Sequence, residues 1–201
     1  MHLRLRGGGE MSDNIVELLC SGSIRKEGNV VIEAHSSSSL IRSDTWNIVV
    51  DTSSLEHRDT LLAALDRIGL DRFDVDLIVN THLHHDHCSN NGLFPNATLM
   101  AHSKEGPGGG YRKIDRDLEI CPGVRLVHTP GHTRGSMSVF VEAGLRYAIA
   151  GDAFPTQENY LRWVPPGLNC NPDLALASMR EIVAFADIVV PGHDAPFRVD
   201  R

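Results

Sequence analysis

The chain has 201 residues, 41% of them hydrophobic, and a formal net charge of −7 at pH 7. This length and apolar content suffice for the core of one globular domain, and the composition is unlike that of collagen, a coiled coil or a disordered segment. No apolar run approaches the roughly 20 residues that a membrane span needs, and the acidic balance without a basic run disfavours a nucleic-acid partner.

The amino terminus and the cysteines bear on location. Residues 1–10 contain no apolar segment of the kind found in secretory signals, and Met11 offers a second start. We therefore expect a disordered tail over residues 1–10 and a single domain over residues 11–201. Four scattered cysteines without a CxxC pair predict free thiols, and hence a cytoplasmic protein: Cys20, Cys88, Cys121 and Cys170.

In the first half of the chain, short β-branched runs punctuated by Gly, Ser and Asn predict strands at residues 15–19, 30–34, 40–42 and 48–50. A helix is predicted over residues 54–69, because its leucines share one face and Gly69 can end it. A buried strand is predicted over residues 75–81.

The second half repeats this alternation. Strands are predicted at residues 98–101, 124–128, 137–141, 146–150 and 188–190. A helix is predicted to begin at Asn171-Pro172, a favourable cap and first-turn pair. Residues 103–113 and 155–170 are predicted to be loops that shape a pocket. Two sheets covered by helices accommodate this order of elements.

A dense group of polar residues follows the predicted strand at residues 75–81. The segment 82–87 reads His-Leu-His-His-Asp-His. His82 and His84 are two apart, so in extended backbone both rings point to the same side and can reach one ion. Asp86 and His87 come after the strand, where a turn can aim them at a second point. Imidazole and carboxylate donors suit Zn²⁺.

Three further metal-capable residues stand at predicted strand ends, each beside a glycine. His132 follows residues 124–128, Asp152 follows residues 146–150, and His193 follows residues 188–190. Glycine allows backbone and ligand to come close together, and polar residues at strand ends are often functional.

These motifs resemble those of the metallo-β-lactamase superfamily over about residues 30–199. The resemblance implies a four-layer αββα sandwich with metals at one edge, between the two sheets. It implies that one metal is bound by His82, His84 and His132, that a second is bound by Asp86, His87 and His193, and that Asp152 bridges them. Asp51 matches a supporting position near the site, although a simple turn carboxylate is an equal alternative. His85 fills a variable position and is expected to point away, and Cys88 is expected to pack nearby.

Two subfamilies share more of the pattern. The segments 91–95, 129–132 and 189–199 resemble the small proteins of the metallo-β-lactamase domain-containing protein 1 type. Gly151-Asp152-Ala153 with Tyr160 resembles the acyl-homoserine lactone lactonases, where a Tyr contacts the substrate carbonyl. Packing under a lid is the alternative role of Tyr160. Asp152 stands where many true β-lactamases have Cys, which disfavours that activity.

The resulting hypothesis is a hydrolase in which two Zn²⁺ ions, about 3.5–4 Å apart, share a hydroxide that attacks an ester-like, lactone, thioester or phosphodiester bond of a small molecule. Asp86 or Asp152 carries a proton to the leaving group. Iron or manganese in place of zinc, and a homodimer, stay open. The alternatives are a mononuclear iron sulfur dioxygenase, an endoribonuclease-like phosphodiesterase, and a metal-binding module without activity.

Overall fold

A computed structural model describes residues 13–28 and 30–200. The predicted tail and the predicted domain boundary at residue 11 lie outside these residues. Within them, the strands are β1 Ile15–Cys20, β2 Ser23–Glu27, β3 Val30–His35, β4 Ser38–Arg42, β5 Asn47–Val50, β6 Leu77–Val79, β7 Thr98–His102, β8 Tyr111–Ile114, β9 Leu118–Cys121, β10 Val124–His128, β11 Met137–Ala143, β12 Leu145–Gly151, β13 Ile188–Pro191 and β14 Phe197–Arg198. The helices are α1 Arg58–Arg67, α2 His85–Cys88, α3 Gln157–Arg162 and α4 Pro172–Phe185.

The strands form two six-stranded sheets and one ribbon. The first sheet has the order β1-β4-β5-β6-β7-β8, the second has the order β14-β13-β12-β11-β10-β9, and β2 pairs only with β3. Strands β5, β6, β7 and β8 run parallel to one another, whereas β4 is antiparallel to β5. In the second sheet β12 is parallel to β13 and antiparallel to β11, which is antiparallel to β10. The carboxyl ends of β10, β12 and β13 therefore meet at one edge.

Three apolar clusters show how the layers pack. The first lies between the two sheets, where Ile48 and Val50 of β5 face Val139 and Val190 of the second sheet. Val49, which points the other way because strand side chains alternate, packs with Leu61 and Leu65 of α1. The third cluster packs α4 onto the outer face of the second sheet. The order helix, sheet, sheet, helix confirms the predicted αββα sandwich.

Several local predictions were incomplete or wrong. The strand predicted over residues 75–81 covers only β6. Strands β2, β9 and β14 were missed, and the loop predicted over residues 103–113 ends in β8. The loop predicted over residues 155–170 contains α3, which begins at a capping box in which Thr156 and Asn159 satisfy each other's backbone amides. Within the described residues, no helix combines the length and apolarity that a membrane span requires.

Candidate metal centre

The segment with four metal-capable residues leaves β6 at the edge between the sheets. Two buried residues, Asn80 and Thr81, follow β6, and α2 then carries Asp86 and His87. The Asn80 side-chain amide donates to the His87 carbonyl at 3.1 Å. The Met137 amide donates to the Thr81 carbonyl at 2.8 Å, which ties this segment to the second sheet.

Asp51 supports this segment from β5. Its backbone has a φ of 54°, a left-handed conformation that Asp tolerates better than most residues. Asp51 Oδ1 accepts from the Thr81 amide at 2.8 Å, and Oδ2 accepts from the Thr81 hydroxyl at 2.7 Å. His87 Nδ1 lies 2.8 Å from Asp51 Oδ2. Because a carboxylate orients a ring whose other nitrogen faces the site, these contacts favour the supporting role over the turn carboxylate.

The second sheet brings the three distant residues to the same edge. His132 Nδ1 donates to the Leu168 carbonyl at 2.7 Å, and His193 Nδ1 donates to the His35 carbonyl at 3.0 Å. Since a carbonyl only accepts, both rings carry their proton on Nδ1 and leave Nε2 for a metal. Asp152 is held tightly, because a Cβ on Gly192 would lie 1.9 Å from Asp152 Oδ1.

All seven predicted metal ligands meet in this cluster. Their donor atoms form three groups, each with all atoms within 4.8 Å of one another: His82, His84 and His132; His82, His87 and Asp152; and Asp86, His87 and His193. His84 Nδ1 is 2.9 Å from His82 Nε2 and 3.0 Å from His132 Nε2. Asp152 Oδ1 is 3.2 Å from His193 Nε2 and 3.4 Å from His87 Nε2, and Oδ2 is 3.5 Å from His132 Nε2. Asp152 thus faces histidines of both the first group, through His132, and the third group, through His87 and His193.

Burial and neighbouring charges shift the pKa values of the residues in the cluster in different directions. Burial lowers the pKa of His82 and of His132, which keeps both rings neutral and able to ligate. Burial also acts to lower the pKa of His87, but the Asp51 and Asp152 carboxylates outweigh it and hold that pKa well above the usual value. Burial acts to raise the pKa of Asp152, but His87 and His193 outweigh it and hold it well below its usual range.

Two buried atoms test whether the residues fit a metal. Neither His87 Nε2 nor Asp152 Oδ1 makes a hydrogen bond among the described residues, although the two atoms lie only 3.4 Å apart. Buried polar atoms are normally satisfied, and a bound ion is one explanation of an exception. Nitrogen and carboxylate donors in this number are the set that a divalent transition metal prefers. The residues therefore fit a divalent metal centre.

A cavity of about 700 Å³ opens over the cluster, a volume suited to a small organic ligand. Five of the metal-capable residues line it: His84, Asp86, His132, Asp152 and His193. The ribbon β2–β3 contributes Ile24, Lys26, Val31 and Ala34 to the lining, and the segment before α4 contributes Pro166, Gly167 and Leu168. The cavity thus combines metal-capable groups with apolar surface.

Other residues singled out from the sequence lie elsewhere. His85 is exposed and its Nδ1 contacts the Ser89 hydroxyl at 2.9 Å, in agreement with a position that points away. Cys88 packs beside the cluster with its thiol on the His84 carbonyl, and burial raises its pKa to about 11. Tyr160 accepts from the Asp200 amide at 3.0 Å and stacks on Phe197. This position favours packing over substrate contact. The four cysteines are free.

Sequence reasoning missed several supporting groups. The carbonyls of His35 and Leu168 orient two ligands, but a backbone acceptor leaves no signal in a sequence. Asn80 precedes the motif directly and would have been found by asking which polar residues follow the buried strand. Glu105 was assigned only to a loop, yet it accepts from the Leu83 amide at 3.1 Å, within the ligand motif.

Comparison with known proteins agrees with this geometry. The family model described as the metallo-beta-lactamase superfamily matches residues 31–111. A protein of Methanocaldococcus jannaschii named as a probable metallo-hydrolase is 37% identical over 183 residues, 90% of this chain and 87% of its own length. Human metallo-beta-lactamase domain-containing protein 1 is 38% identical over an alignment that covers 77% of this chain and 60% of the human protein. A Bacillus protein named N-acyl homoserine lactonase is 32% identical over 70% of this chain and 64% of its own length.

Solved structures show the same fold. A B. thuringiensis AiiA mutant with N-decanoyl-L-homoserine bound at its active site has a TM-score of 0.71 and 23% identity, covering 87% of this chain and 90% of its own. A metallo-beta-lactamase family protein from Thermus thermophilus has a TM-score of 0.69 and 20% identity, covering 92% of this chain and 75% of its own.

Proposed function

This chain belongs to the metallo-beta-lactamase superfamily and is a metal-dependent hydrolase, and we propose that it uses two zinc ions to hydrolyse an ester or lactone bond of a small molecule. The proposal rests on the overlap of the three ligand groups. His82, His84 and His132 are proposed to hold one ion, Asp86, His87 and His193 the other, and Asp152 to face both.

When bound, such ions supply Lewis-acid polarisation of the substrate oxygen and a water-derived nucleophile at neutral pH. The protein residues then have two tasks. Asp51 and the carbonyls of His35 and Leu168 hold the ligand rings in place. Asp86 lines the cavity with its carboxylate 24% exposed, whereas Asp152 is only 9% exposed and enclosed by three histidines. We therefore assign to the Asp86 carboxylate the proton that moves to the leaving oxygen.

The net reaction adds one water across the bond. The bond between the acyl carbon and the leaving oxygen breaks, the acyl carbon gains an OH group, and the leaving oxygen gains the proton. Ile24, Val31 and Leu168 offer apolar contact to the acyl part of a substrate in the cavity. Similarity to a protein named N-acyl homoserine lactonase supports a lactone as the first substrate to test.

Metal analysis and a panel of substrates test the proposal. We expect two zinc ions per chain and hydrolysis of lactones or carboxylic esters in preference to thioesters, phosphodiesters and β-lactams. One iron per chain would replace the proposal with the dioxygenase alternative. A fully metal-loaded protein that leaves the whole panel intact would contradict hydrolysis of these bonds.

Neighbouring histidines provide a matched pair of variants. His84→Ala removes a ring that faces two other ligands, so we expect loss of metal from the first group and of nearly all hydrolysis. His85→Ala removes an exposed ring from the same segment, so metal content and hydrolysis are expected to stay at the wild-type level. Equal activity of the two variants would contradict the assignment of His84.

A further inference from the structure

We propose that Glu105 is a positioning residue that sets the distance between the two sheets at the first ligand group. The inference rests on the proposed function, because it assigns to Glu105 the task of holding His84 and His132 within reach of one ion. Among the described residues, Glu105 makes no hydrogen bond or ion pair with any of the seven ligand side chains. It acts through the backbone beside His84 and through the loop that follows His132.

Local structure brings Glu105 to the sheet edge. Strand β7 runs parallel to β6, so both strands end at the same edge. After β7 the chain makes a short 3-10 turn, Ser103–Glu105, in which His102 Nδ1 accepts from the Lys104 amide at 3.1 Å. Gly106 then leaves the turn in the left-handed conformation, with φ of 67°. The carboxylate is thereby directed towards the loop that carries the first ligand motif.

The carboxylate contacts both ligand loops at once. Oε2 accepts from the Leu83 amide, between His82 and His84, at 3.1 Å. Oε1 accepts from the Thr133 hydroxyl at 2.6 Å and from the Gly135 amide at 2.9 Å. The approach to Gly135 is close, since a Cβ there would lie 2.7 Å from Oε1. One carboxylate thus joins a loop of the first sheet to a loop of the second.

The contacts of Glu105 connect two parts of the first ligand group that come from different sheets. His82 and His84 follow β6 of the first sheet, whereas His132 follows β10 of the second. The stacked rings of His102 and His128, 4.1 Å apart, join the ends of β7 and β10 beside it. Hydrogen bonds to a charged acceptor are stronger than neutral ones, so Glu105 restrains the separation of these loops. Among the described hydrogen bonds of Glu105, none reaches the third ligand group, which consists of Asp86, His87 and His193.

Glu105→Gln tests the link that the Glu105 carboxylate makes between the two ligand loops. The variant keeps the size of the side chain but presents an NH₂ group where one oxygen accepts. One loop then faces a donor instead of an acceptor. We expect the affinity of the first group for Zn²⁺ to fall about 10- to 100-fold, as for other groups that orient ligands, with the second ion changed less than about threefold. Calorimetric titration with Zn²⁺ separates the binding of the two ions. The binding step that is absent from the titration of His84→Ala is assigned to the first ligand group.

Metal-free protein provides a second readout. The Leu83 and Gly135 amides should exchange with solvent about 3- to 10-fold faster in Glu105→Gln. Glu181→Gln, which removes an exposed carboxylate on α4, should change neither measurement. If Glu105→Gln does not fold, Thr133→Val removes one of the three contacts at nearly constant volume and should weaken the same ion about 3- to 10-fold.

Specific outcomes overturn the inference. Wild-type affinity for both ions in Glu105→Gln, or an equal loss at both, would show that Glu105 does not position the first group. A wild-type protein that binds fewer than two ions or leaves the substrate panel intact would instead overturn the proposed function. Amide exchange in the metal-free protein would still decide whether Glu105 links the two ligand loops.

Discussion

The two sheets hold their metal-capable residues in different ways. The first sheet supplies four of them from one segment, residues 82–87, and fixes that segment with polar contacts from Asp51, Asn80 and Glu105. The second sheet supplies three from separate strand ends, each more than 19 residues from the next along the chain. There each histidine ring donates to one backbone carbonyl, and close packing adds steric support: a Cβ on Gly151 would lie 2.4 Å from the Thr81 hydroxyl, and one on Gly192 would lie 1.9 Å from Asp152 Oδ1.

This difference follows from how each ligand is anchored. A loop of several ligands needs hydrogen bonds from the residues around it, because few of its own residues belong to a strand. A single ligand at the end of a strand inherits most of its position from the sheet, and close packing with at most one hydrogen bond to a backbone carbonyl completes its support. We therefore expect the first sheet to be sensitive to changes of charge and hydrogen bonding, and the second to added volume.

Among the changes that test this comparison of the two sheets, Gly192→Ala is expected to have the largest effect. Its added Cβ would overlap Asp152 Oδ1, so the carboxylate that faces both metal sites must move. A displacement of about 1 Å in a reacting geometry costs on the order of 100-fold in rate, and we expect at least that loss in kcat together with lower zinc content. Steady-state kinetics and elemental analysis measure both.

Gly92→Ala is the control for Gly192→Ala. Gly92 also has no positive φ, and a Cβ there meets open space. We expect wild-type kcat and metal content from this variant. A Gly192→Ala protein that matched it would show that Asp152 tolerates displacement, and steric support would then not describe the second sheet.

Asp51→Asn is expected to have a smaller effect, through the tautomer of His87. Asp51 Oδ2 accepts from His87 Nδ1–H and so leaves Nε2 free. An Asn side-chain NH₂ in that place donates to Nδ1 and moves the ring proton to Nε2, which then cannot bind a metal. We expect about a 10- to 100-fold loss of affinity at the second ion and of kcat.

The exposed carboxylate of α1 provides the comparison for Asp51→Asn. Asp66→Asn makes the same change of charge far from the buried network and should leave both values unchanged. If Asp51→Asn and Asp66→Asn had the same zinc affinities, Asp51 would not provide the polar support that we assign to the first sheet.

The sequence predicted the elements and residues that have local patterns. Two sheets covered by helices accommodate the alternation of apolar strands with two amphipathic helices, and the resemblance to the metallo-β-lactamase superfamily implies the αββα order of the layers. All seven candidate ligands could be named because each stands in a short motif at a strand end. Their role as ligands stays a prediction, but they do converge in space.

What escaped prediction depends on contacts distant in the chain or on weak patterns. Glu105 lies 22 residues from Leu83 and 30 from Gly135, so nothing local marks it as a link between them. Strand β2 reads Ser-Ile-Arg-Lys-Glu, and its exposed charges hide the alternation that identifies a buried strand. It therefore went unnoticed that β2 and β3 form a wall of the cavity.

Tyr160→Phe is expected to have the smallest effect, and it separates proximity to the site from participation in it. Its hydroxyl accepts from the Asp200 amide and its ring lies 5.2 Å from that of Phe197, so it belongs to the packing of the second sheet. Loss of the hydroxyl should cost about 0.5–1 kcal/mol of the free energy of unfolding and leave kcat and KM within about twofold. Chemical denaturation and steady-state kinetics on a lactone measure these quantities. A tenfold fall in kcat without a change in stability would place the hydroxyl on the substrate, and the second sheet would then supply chemistry from α3 as well as ligands from its strand ends.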